Sequence, residues 1–164
     1  MKKACQFLFP LLLFLAAGVA QEKASRLTVE ARDGKQTVFS VEQLRKMPRQ
    51  TVSATDAHTG ASHQYEGVLL SALLAAAGVP SGEALRGAEL RDYVEAVGAD
   101  NYTVIFSLPE LDSLFQDNKV IVADMQDGKP LDAAQGPLKL IVPQDRRPAR
   151  WVRMLVNISV HQAP

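Results

Sequence analysis

The chain has 164 residues with 18 basic and 18 acidic side chains, and 47% of its residues are hydrophobic. This length is enough for one domain with a hydrophobic core and too short for two domains of ordinary size. The balanced charge argues against general binding to nucleic acids, which requires an excess of positive charge, so any anion site has to be local.

Residues 1–20, "MKKACQFLFPLLLFLAAGVA", begin with a basic stretch, continue with an apolar run and end with small residues. This layout predicts a secretory signal peptide that is cleaved before Gln21. The apolar run is interrupted by Pro10 and is shorter than the ~20 residues of a membrane span, although a retained anchor is the alternative. We therefore expect one domain over residues 21–164 in a periplasmic or secreted protein, with no stable membrane insertion after cleavage.

The only cysteine, Cys5, lies inside the predicted signal peptide. The mature chain would then contain no disulfide, no zinc–thiolate site and no cysteine nucleophile. Cleavage also removes two lysines and no acid, which leaves the mature chain two charges negative. Packing alone has to stabilise the domain.

The first elements of the mature chain are marked by turn and capping residues. Asp33-Gly34 between two β-prone runs predicts a hairpin. Ser40 with Gln43 three residues later is typical of a helix start, and Pro48 is a stop signal, so one short helix is expected between them.

Next, we expect a strand over residues 51–55, a polar loop, and a helix over residues 69–77 that Gly78 ends. Apolar residues at three- and four-residue spacing predict one stripe on that helix, which we interpret as core. The stripe consists of Leu69, Leu70, Leu73, Leu74 and Ala77.

The second half of the chain is rich in runs of strand character. Two are "AELRDYVEAVG" and "YTVIFSLPEL", the latter followed by a short helical turn near residues 111–114. A strand over residues 120–125, a turn at Asp127-Gly128, a polar loop and a strand over residues 138–142 come next. We predict about six to eight strands with two or three short helices, hence an α+β fold with a single mixed-sheet domain.

The last run, "WVRMLVNISVH", alternates between apolar and mixed positions, which predicts a half-buried strand. In this pattern Val152 and Met154 face the core. Trp151 and Arg153 are expected on the opposite side, away from the core.

The order of several motifs resembles the molybdopterin-binding domain of the sulfite-oxidase-like oxidoreductases. The motifs are "VEQLRKMP", "YEGVLLSALLAAAGV", Asp-Asn-Tyr at residues 100–102, "DGKPL" and "GPLKLIVPQDRRPARWVRMLVNISV". Together they cover roughly residues 27–161, nearly the whole mature chain. The resemblance implies a molybdopterin-binding fold, and function still has to be argued from the site.

In that family a protein cysteine joins the pterin dithiolene as a molybdenum ligand, after the strand that matches residues 51–55. The corresponding stretch here, "TVSATDAHTGASHQ", has no cysteine, so ligation by a soft thiolate in the family's manner cannot occur. Molybdopterin is therefore a possible cofactor, while a bound molybdenum ion is doubtful.

Four residues within this stretch could replace the thiolate, namely Ser53, Asp56, His58 and His63, and the last three could instead form a metal site of their own. The alternative is a polar loop whose aspartate caps a turn, which is the commoner case. Their spacing matches no specific zinc pattern. We therefore predict no metal site and leave the catalytic residues open.

The arginine cluster before the last strand is the candidate anion site. Arg146, Arg147 and Arg150 would hold the pterin phosphate or another small anion with planar guanidinium groups. The resemblance adds Lys139 and Trp151, since the matching segments lie near the family's cofactor. If Arg147 and Arg150 hold an anion, they are expected to face each other across a pocket with too few acids to offset their charges. The alternative is a solvated basic turn paired with Asp145 and nearby acids.

Tyr65 and Tyr102 are further candidates for lining a pocket, although a tyrosine with its hydroxyl at the surface is commoner. The sequence thus predicts a small exported protein that binds a pterin or similar anionic ligand with little or no redox catalysis. Two alternatives remain: an interaction module for a protein partner that has lost the cofactor, and an oxidoreductase with a non-cysteine molybdenum ligand.

Overall fold

A computed structural model describes residues 26–55 and 60–164. The predicted signal peptide, its cleavage site, Asp56 and His58 lie outside the described residues. In chain order the strands and α-helices are β1 Arg26–Glu30, β2 Gln36–Ser40, α1 Val41–Arg45, β3 Arg49–Thr55, β4 Ser62–Leu69, α2 Leu70–Ala76, β5 Asp92–Gly98, β6 Thr103–Ser107, β7 Ile121–Gln126, β8 Lys129–Pro130, β9 Lys139–Ile141 and β10 Leu155–Gln162.

The strands form two sheets. The first has the order β2-β1-β10-β5-β6, in which β1 and β10 are parallel and the other pairs antiparallel. The second has the order β3-β4-β7-β8, and β9 also pairs with β7. Both sheets and α2 contribute to one hydrophobic core. The predicted α+β single mixed-sheet domain is therefore confirmed.

The early turn and cap have the local chemistry that the sequence predicts. Asp33 accepts a hydrogen bond from the backbone of Lys35 at 3.0 Å in the β1–β2 hairpin. At the start of α1, the backbone N–H of Gln43 donates to the Ser40 hydroxyl at 3.2 Å, and the backbone N–H of Ser40 donates to the Gln43 side chain at 2.8 Å. This reciprocal cap satisfies two N–H groups that the first helical turn leaves free.

Helix α2 begins one residue later and ends one residue earlier than expected, at Leu70 and Ala76. Its side chains Leu70, Leu73 and Leu74 are buried in the core, as is Ala77 directly behind it. The interpretation of the apolar stripe as core is confirmed.

Strand β4 lies where the sequence predicted a polar loop, so that prediction is wrong for residues 62–68. The strand pairs with β3 on one side and β7 on the other. Gly67 permits the close approach of β7, because a Cβ there would lie 2.1 Å from the carbonyl oxygen of Val122. The local sequence is polar and weakly β-prone, and its two neighbours in the sheet stabilise it as a strand.

Strand β10 begins at Leu155, four residues later than predicted. The register with β5 shifts between Leu155 and Asn157, which inserts one extra residue and places Leu155 on the core side of the strand. Leu155 is fully buried, and Trp151 is buried rather than directed away from the core. Arg153 is exposed, as expected.

Strands β3, β7 and β9 lie within two residues of their predicted bounds. Strand β6 ends at Ser107, four residues before the end of the predicted run, β8 was not predicted, and residues 87–91 form a 3₁₀ helix before β5. The helical turn expected near residues 111–114 is a 3₁₀ turn at Pro109–Leu111. No helix in the described part of the chain is long and apolar enough to cross a membrane. The connections β5–β6, β8–β9 and β9–β10 leave the two sheets at a common cavity.

Candidate functional site

A cavity of about 540 Å³ is lined by residues from these three connections. The aromatic residues are Tyr102 and Trp151, the basic residues are Lys139 and Arg153, and the acidic residues are Asp100 and Asp132. Ala134, Gln135 and Pro148 complete the lining. The volume falls in the range of ~300–1,000 Å³ that is typical of small-molecule sites.

Backbone hydrogen bonds hold the three connections together. The N–H of Met154 donates to the carbonyl of Gln135 at 2.9 Å, which ties the approach to β10 to the β8–β9 loop. The N–H of Ala99, in the β5–β6 turn, donates to the carbonyl of Met154 at 2.9 Å. Met154 has a φ of 47°, an unusual value for a residue other than glycine. The three connections around the cavity are therefore joined to one another by backbone hydrogen bonds.

Lys139 lies at the start of β9 between two aromatic rings. Its Nζ is 5.2 Å from the ring centroid of Tyr65 and 5.3 Å from that of Trp151, and the residue is 7% exposed. The two rings meet edge to face, 5.6 Å apart. The indole N–H of Trp151 donates to the carbonyl of Val142 at 3.1 Å. Cation–π contacts of this kind stabilise a charged ammonium in a largely desolvated place.

Gln135 connects Lys139 to Asp132. The side-chain carbonyl of Gln135 accepts a hydrogen bond from the Lys139 ammonium, and its amide donates to Asp132 at 3.1 Å. Asp132 also accepts from the backbone N–H groups of Ala134 and Gln135. The hydrogen bond from the Gln135 side chain is the main reason that the pKa of Asp132 lies below its ordinary value. A carboxylate thus orients the amide that holds the lysine.

Arg153 is the exposed cation of the cavity. Within residues 26–55 and 60–164 its side chain makes no hydrogen bond or ion pair. A guanidinium without an internal carboxylate can pair with an anionic ligand, preferably in a bidentate manner. Arg153 and Lys139 are therefore the positive charges that a ligand would meet.

Arg150 is bound internally. Its Nε and Nη2 donate to the two carboxylate oxygens of Asp145 at 2.8 and 2.7 Å, and Nη1 donates to Glu110 at 2.7 Å. Its guanidinium carbon lies 4.6 Å from the ring centroid of Phe106. The hydrogen bonds to Asp145 are the main reason that the pKa of Arg150 is raised above its ordinary value.

The other two predicted arginines, Arg146 and Arg147, are exposed in the loop between β9 and the 3₁₀ turn Pro148–Arg150. The described residues that line the cavity do not include Arg146, Arg147 or Arg150. The expectation that Arg147 and Arg150 face each other across a pocket is wrong, because two acids occupy the guanidinium of Arg150.

The residues considered as replacements for the cysteine are only partly described. Ser53 is exposed on β3. His63 forms a 2.7 Å contact between its Nδ1 and the carboxylate of Asp127. The backbone hydrogen bond from Gln64, followed by that from His63, lowers the pKa of Asp127. Among residues 26–55 and 60–164 no group of three or more His, Cys, Asp or Glu side chains could hold a metal ion.

Sequence reasoning therefore missed most of the cavity lining. It placed Arg153 outside the core but not in a site, and it gave Asp100, Asp132 and Gln135 no role. The "DNY" motif of the resemblance contains Asp100, and "DGKPL" ends one residue before Asp132. The long motif that begins at Gly136 follows Gln135 directly and contains Arg153. The three loops are distant in sequence, and their proximity depends on the two sheets.

Comparisons with known proteins point to one family. The sequence profile described as "oxidoreductase molybdopterin binding domain" matches residues 16–164. No curated protein sequence matches the chain.

Among solved structures, the chain is similar to the sulfane dehydrogenase SoxCD from Paracoccus pantotrophus, with a TM-score of 0.66 and 24% sequence identity. The match covers 84% of this chain and 38% of that chain. A likeness at this identity shows the fold, and the chain spans well under half the length of that structure's chain.

Proposed function

Because the chain belongs to the oxidoreductase molybdopterin-binding domain family, we propose that it is a small exported protein that binds a pterin or similar anionic ligand with little or no redox turnover. The observation that carries the proposal is the cavity, whose lining combines the cations Lys139 and Arg153 with the aromatic residues Trp151 and Tyr102. Small-molecule sites commonly combine apolar walls with a few such polar groups.

The residues present fit a pterin with a phosphate group. Arg153 is accessible and has no carboxylate partner within the described residues, so it would pair with the phosphate. Lys139 adds a second positive charge, and Trp151 offers a ring edge for a flat heterocycle. One oxygen of Asp100 accepts the backbone N–H of Tyr102 at 3.0 Å, and the other could accept an N–H of the ligand.

Molybdopterin, when bound, supplies a dithiolene that can hold a molybdenum ion for oxidation–reduction chemistry. In this chain the stretch from residue 51 to residue 64 contains no cysteine to join that ion. A serine, aspartate or histidine would be a harder ligand than a thiolate. This difference from the family is the reason to propose binding without efficient turnover.

Export is the second part of the proposal and depends on the sequence of residues 1–20. The basic start, apolar run and small-residue end support a cleaved signal peptide. N-terminal sequencing of the protein isolated from its native source tests this part. A start near Gln21 would support export, and an intact Met1 in the cytoplasmic fraction would overturn it.

Metal analysis of natively expressed protein, combined with pterin fluorescence after oxidative release, tests the binding proposal. We expect pterin fluorescence with molybdenum well below one ion per chain. Molybdenum near one per chain would overturn the non-catalytic part and favour an oxidoreductase with another ligand. Protein without pterin that also fails to bind a pterin phosphate in solution would overturn the ligand proposal and favour an interaction module.

A further inference from the structure

We propose that Arg150 and Tyr102 are positioning residues that fix the cavity wall formed by Pro148 and Trp151. The role of this wall in ligand binding rests on the function proposed above. The geometry of the wall itself does not. Neither residue acts here as the main ligand for the anion, since one is bound to acids and the other contributes a neutral hydroxyl.

Arg150 connects the cavity wall to the end of β6 in the first sheet. Its partners lie on two separate segments: Asp145 in the same loop, and Glu110 in the 3₁₀ turn that follows β6. The guanidinium also stacks on Phe106, which is 1% exposed in β6. A planar group with donors on three sides suits this arrangement, because each carboxylate meets a different edge.

The charge balance of this cluster also separates Arg150 from an anion site. One guanidinium faces two carboxylates, Asp145 and Glu110, so the three side chains together carry a net negative charge. An incoming anion would meet repulsion from both acids before it reached the guanidinium. Arg150 therefore influences a ligand through the position of the loop.

Tyr102 holds the same turn from the other end of β6. Its hydroxyl donates to the carbonyl of Ala149, and its ring lines the cavity. Ala149 lies between Pro148, a lining residue, and Arg150. Two consecutive residues of one 3₁₀ turn are thus fixed from two points, one before the first residue of β6 and one near its end.

Trp151 follows this turn directly and is the chain's only tryptophan. Its backbone N–H donates to Pro148 and its indole N–H to Val142, both at 3.1 Å. If the contacts of Arg150 and Tyr102 are removed, the 3₁₀ turn can move, and the Trp151 ring is no longer held beside Lys139. If the wall is already ordered in the free protein, binding does not require the free energy of ordering it, and the affinity for the ligand is higher.

Acrylamide quenching of Trp151 fluorescence and calorimetric titration with a pterin phosphate test the proposal. The variants are Arg150→Met, Arg150→Lys and Tyr102→Phe. Arg150→Met should increase quenching clearly and weaken binding by about tenfold, as expected if one or two side chains have to be ordered on binding. Tyr102→Phe removes one hydroxyl and should weaken binding by about threefold. Arg150→Lys should fall between wild type and Arg150→Met, since an ammonium cannot reach both acids with the same geometry.

Arg32→Met is the matched control. Arg32 is a half-exposed arginine that holds the buried Asp92, and neither residue lines the cavity. The control should lower the midpoint of thermal unfolding and leave quenching and binding as in wild type. A similar loss of binding in Arg32→Met would show that general destabilisation explains the effect and would overturn the proposal.

Unchanged quenching in both Arg150→Met and Tyr102→Phe would overturn the fixed wall. If Arg150→Met does not fold, Tyr102→Phe and Glu110→Gln decide the matter in the same assays. A wild type that binds no pterin phosphate, together with raised quenching in the variants, would overturn the proposed function and support the wall. Raised quenching with unchanged pterin affinity would overturn the positioning role.

Discussion

Two groups of charged side chains in this molecule differ in how their charges are satisfied. The first, the Asp124 cluster, comprises Arg45, Arg49, Glu66 and Asp124. The Asp124 carboxylate accepts hydrogen bonds from Arg45 at 2.7 Å and from Arg49 at 2.6 Å. Glu66 accepts from Arg49 at 2.6 Å. In the cavity, by contrast, Arg153 has no such partner within the described part of the chain.

The protonation chemistry of the Asp124 cluster reflects its internal pairing. Burial lowers the pKa of Arg49, but hydrogen bonds to Asp124 and Glu66 outweigh that effect and raise the pKa above its ordinary value. Asp124 has a side chain that is 1% exposed and connects α1, β3 and β7. Charge density alone therefore does not mark a site. Paired charges connect elements of the fold, and accessible charges without partners are available to ligands.

Removal of the central acid should give the largest effect. Asp124→Asn leaves Arg49 with a weaker partner in a partly buried place and should lower the free energy of unfolding by about 3 kcal/mol. Urea denaturation measures the loss, and Asp117→Asn, at an exposed aspartate, is the control within about 0.5 kcal/mol of wild type. Equal stability of Asp124→Asn and Asp117→Asn would contradict the structural role of the cluster.

Removal of the accessible cation Arg153 should weaken ligand binding and leave stability nearly unchanged. Arg153→Ala should weaken binding of a pterin phosphate about tenfold, the scale of one charge-assisted hydrogen bond, and change stability by less than about 0.5 kcal/mol. Calorimetric titration and urea denaturation measure the two effects separately. A large loss of stability with intact binding would place Arg153 with the structural charges instead.

Protonation of Asp132 in acid should lower the stability of the folded protein. The pKa of this carboxyl is lowered in the folded state from its ordinary 3.8, so its contribution to stability is complete above that value. The contribution is lost as the pH falls from 3.8 through the lower folded pKa. We expect the stability difference between wild type and Asp132→Asn to shrink over this acid range. Thermal unfolding at a series of pH values measures it, and a constant difference would contradict the linkage.

Replacement of both loop arginines should have the smallest effect. Arg146 and Arg147 are exposed and lie outside the cavity lining within the described residues. The double change Arg146→Ala with Arg147→Ala should alter stability by less than about 0.5 kcal/mol and pterin-phosphate affinity by less than about threefold. A tenfold loss of affinity at physiological ionic strength would instead restore the loop arginines as ligand contacts.

The candidate site was predictable only in part. Lys139 and Trp151 entered the predicted ligand set through the resemblance, and the structure places both at the cavity. Arg150 was selected because it carries a fixed charge, yet Glu110, 40 residues earlier in the chain, occupies it. The alternative of a basic turn paired with Asp145 named the nearby partner correctly, but the distant partner Glu110 could not be read from the sequence, because only folding brings it to Arg150.

Elements with local signals could be predicted without the tertiary structure. Asp33-Gly34 sets a turn, Ser40 and Gln43 form a reciprocal cap, and the leucines of α2 follow the helical period. Such signals act between residues close in the chain, so no distant contact is required for them. The ordered motifs likewise determined the fold family.

Three features depend on contacts between distant segments, namely strand β4, the bulge in β10 and the set of residues that line the cavity. β4 is a strand because β3 and β7 satisfy its backbone hydrogen bonds from both sides. The extra residue between Leu155 and Asn157 breaks the alternation, and Trp151 and Val152 ahead of the strand are both buried, which no period-two pattern encodes. Long-range backbone pairing thus decides which side chains share one cavity, since it joins segments that the sequence keeps far apart.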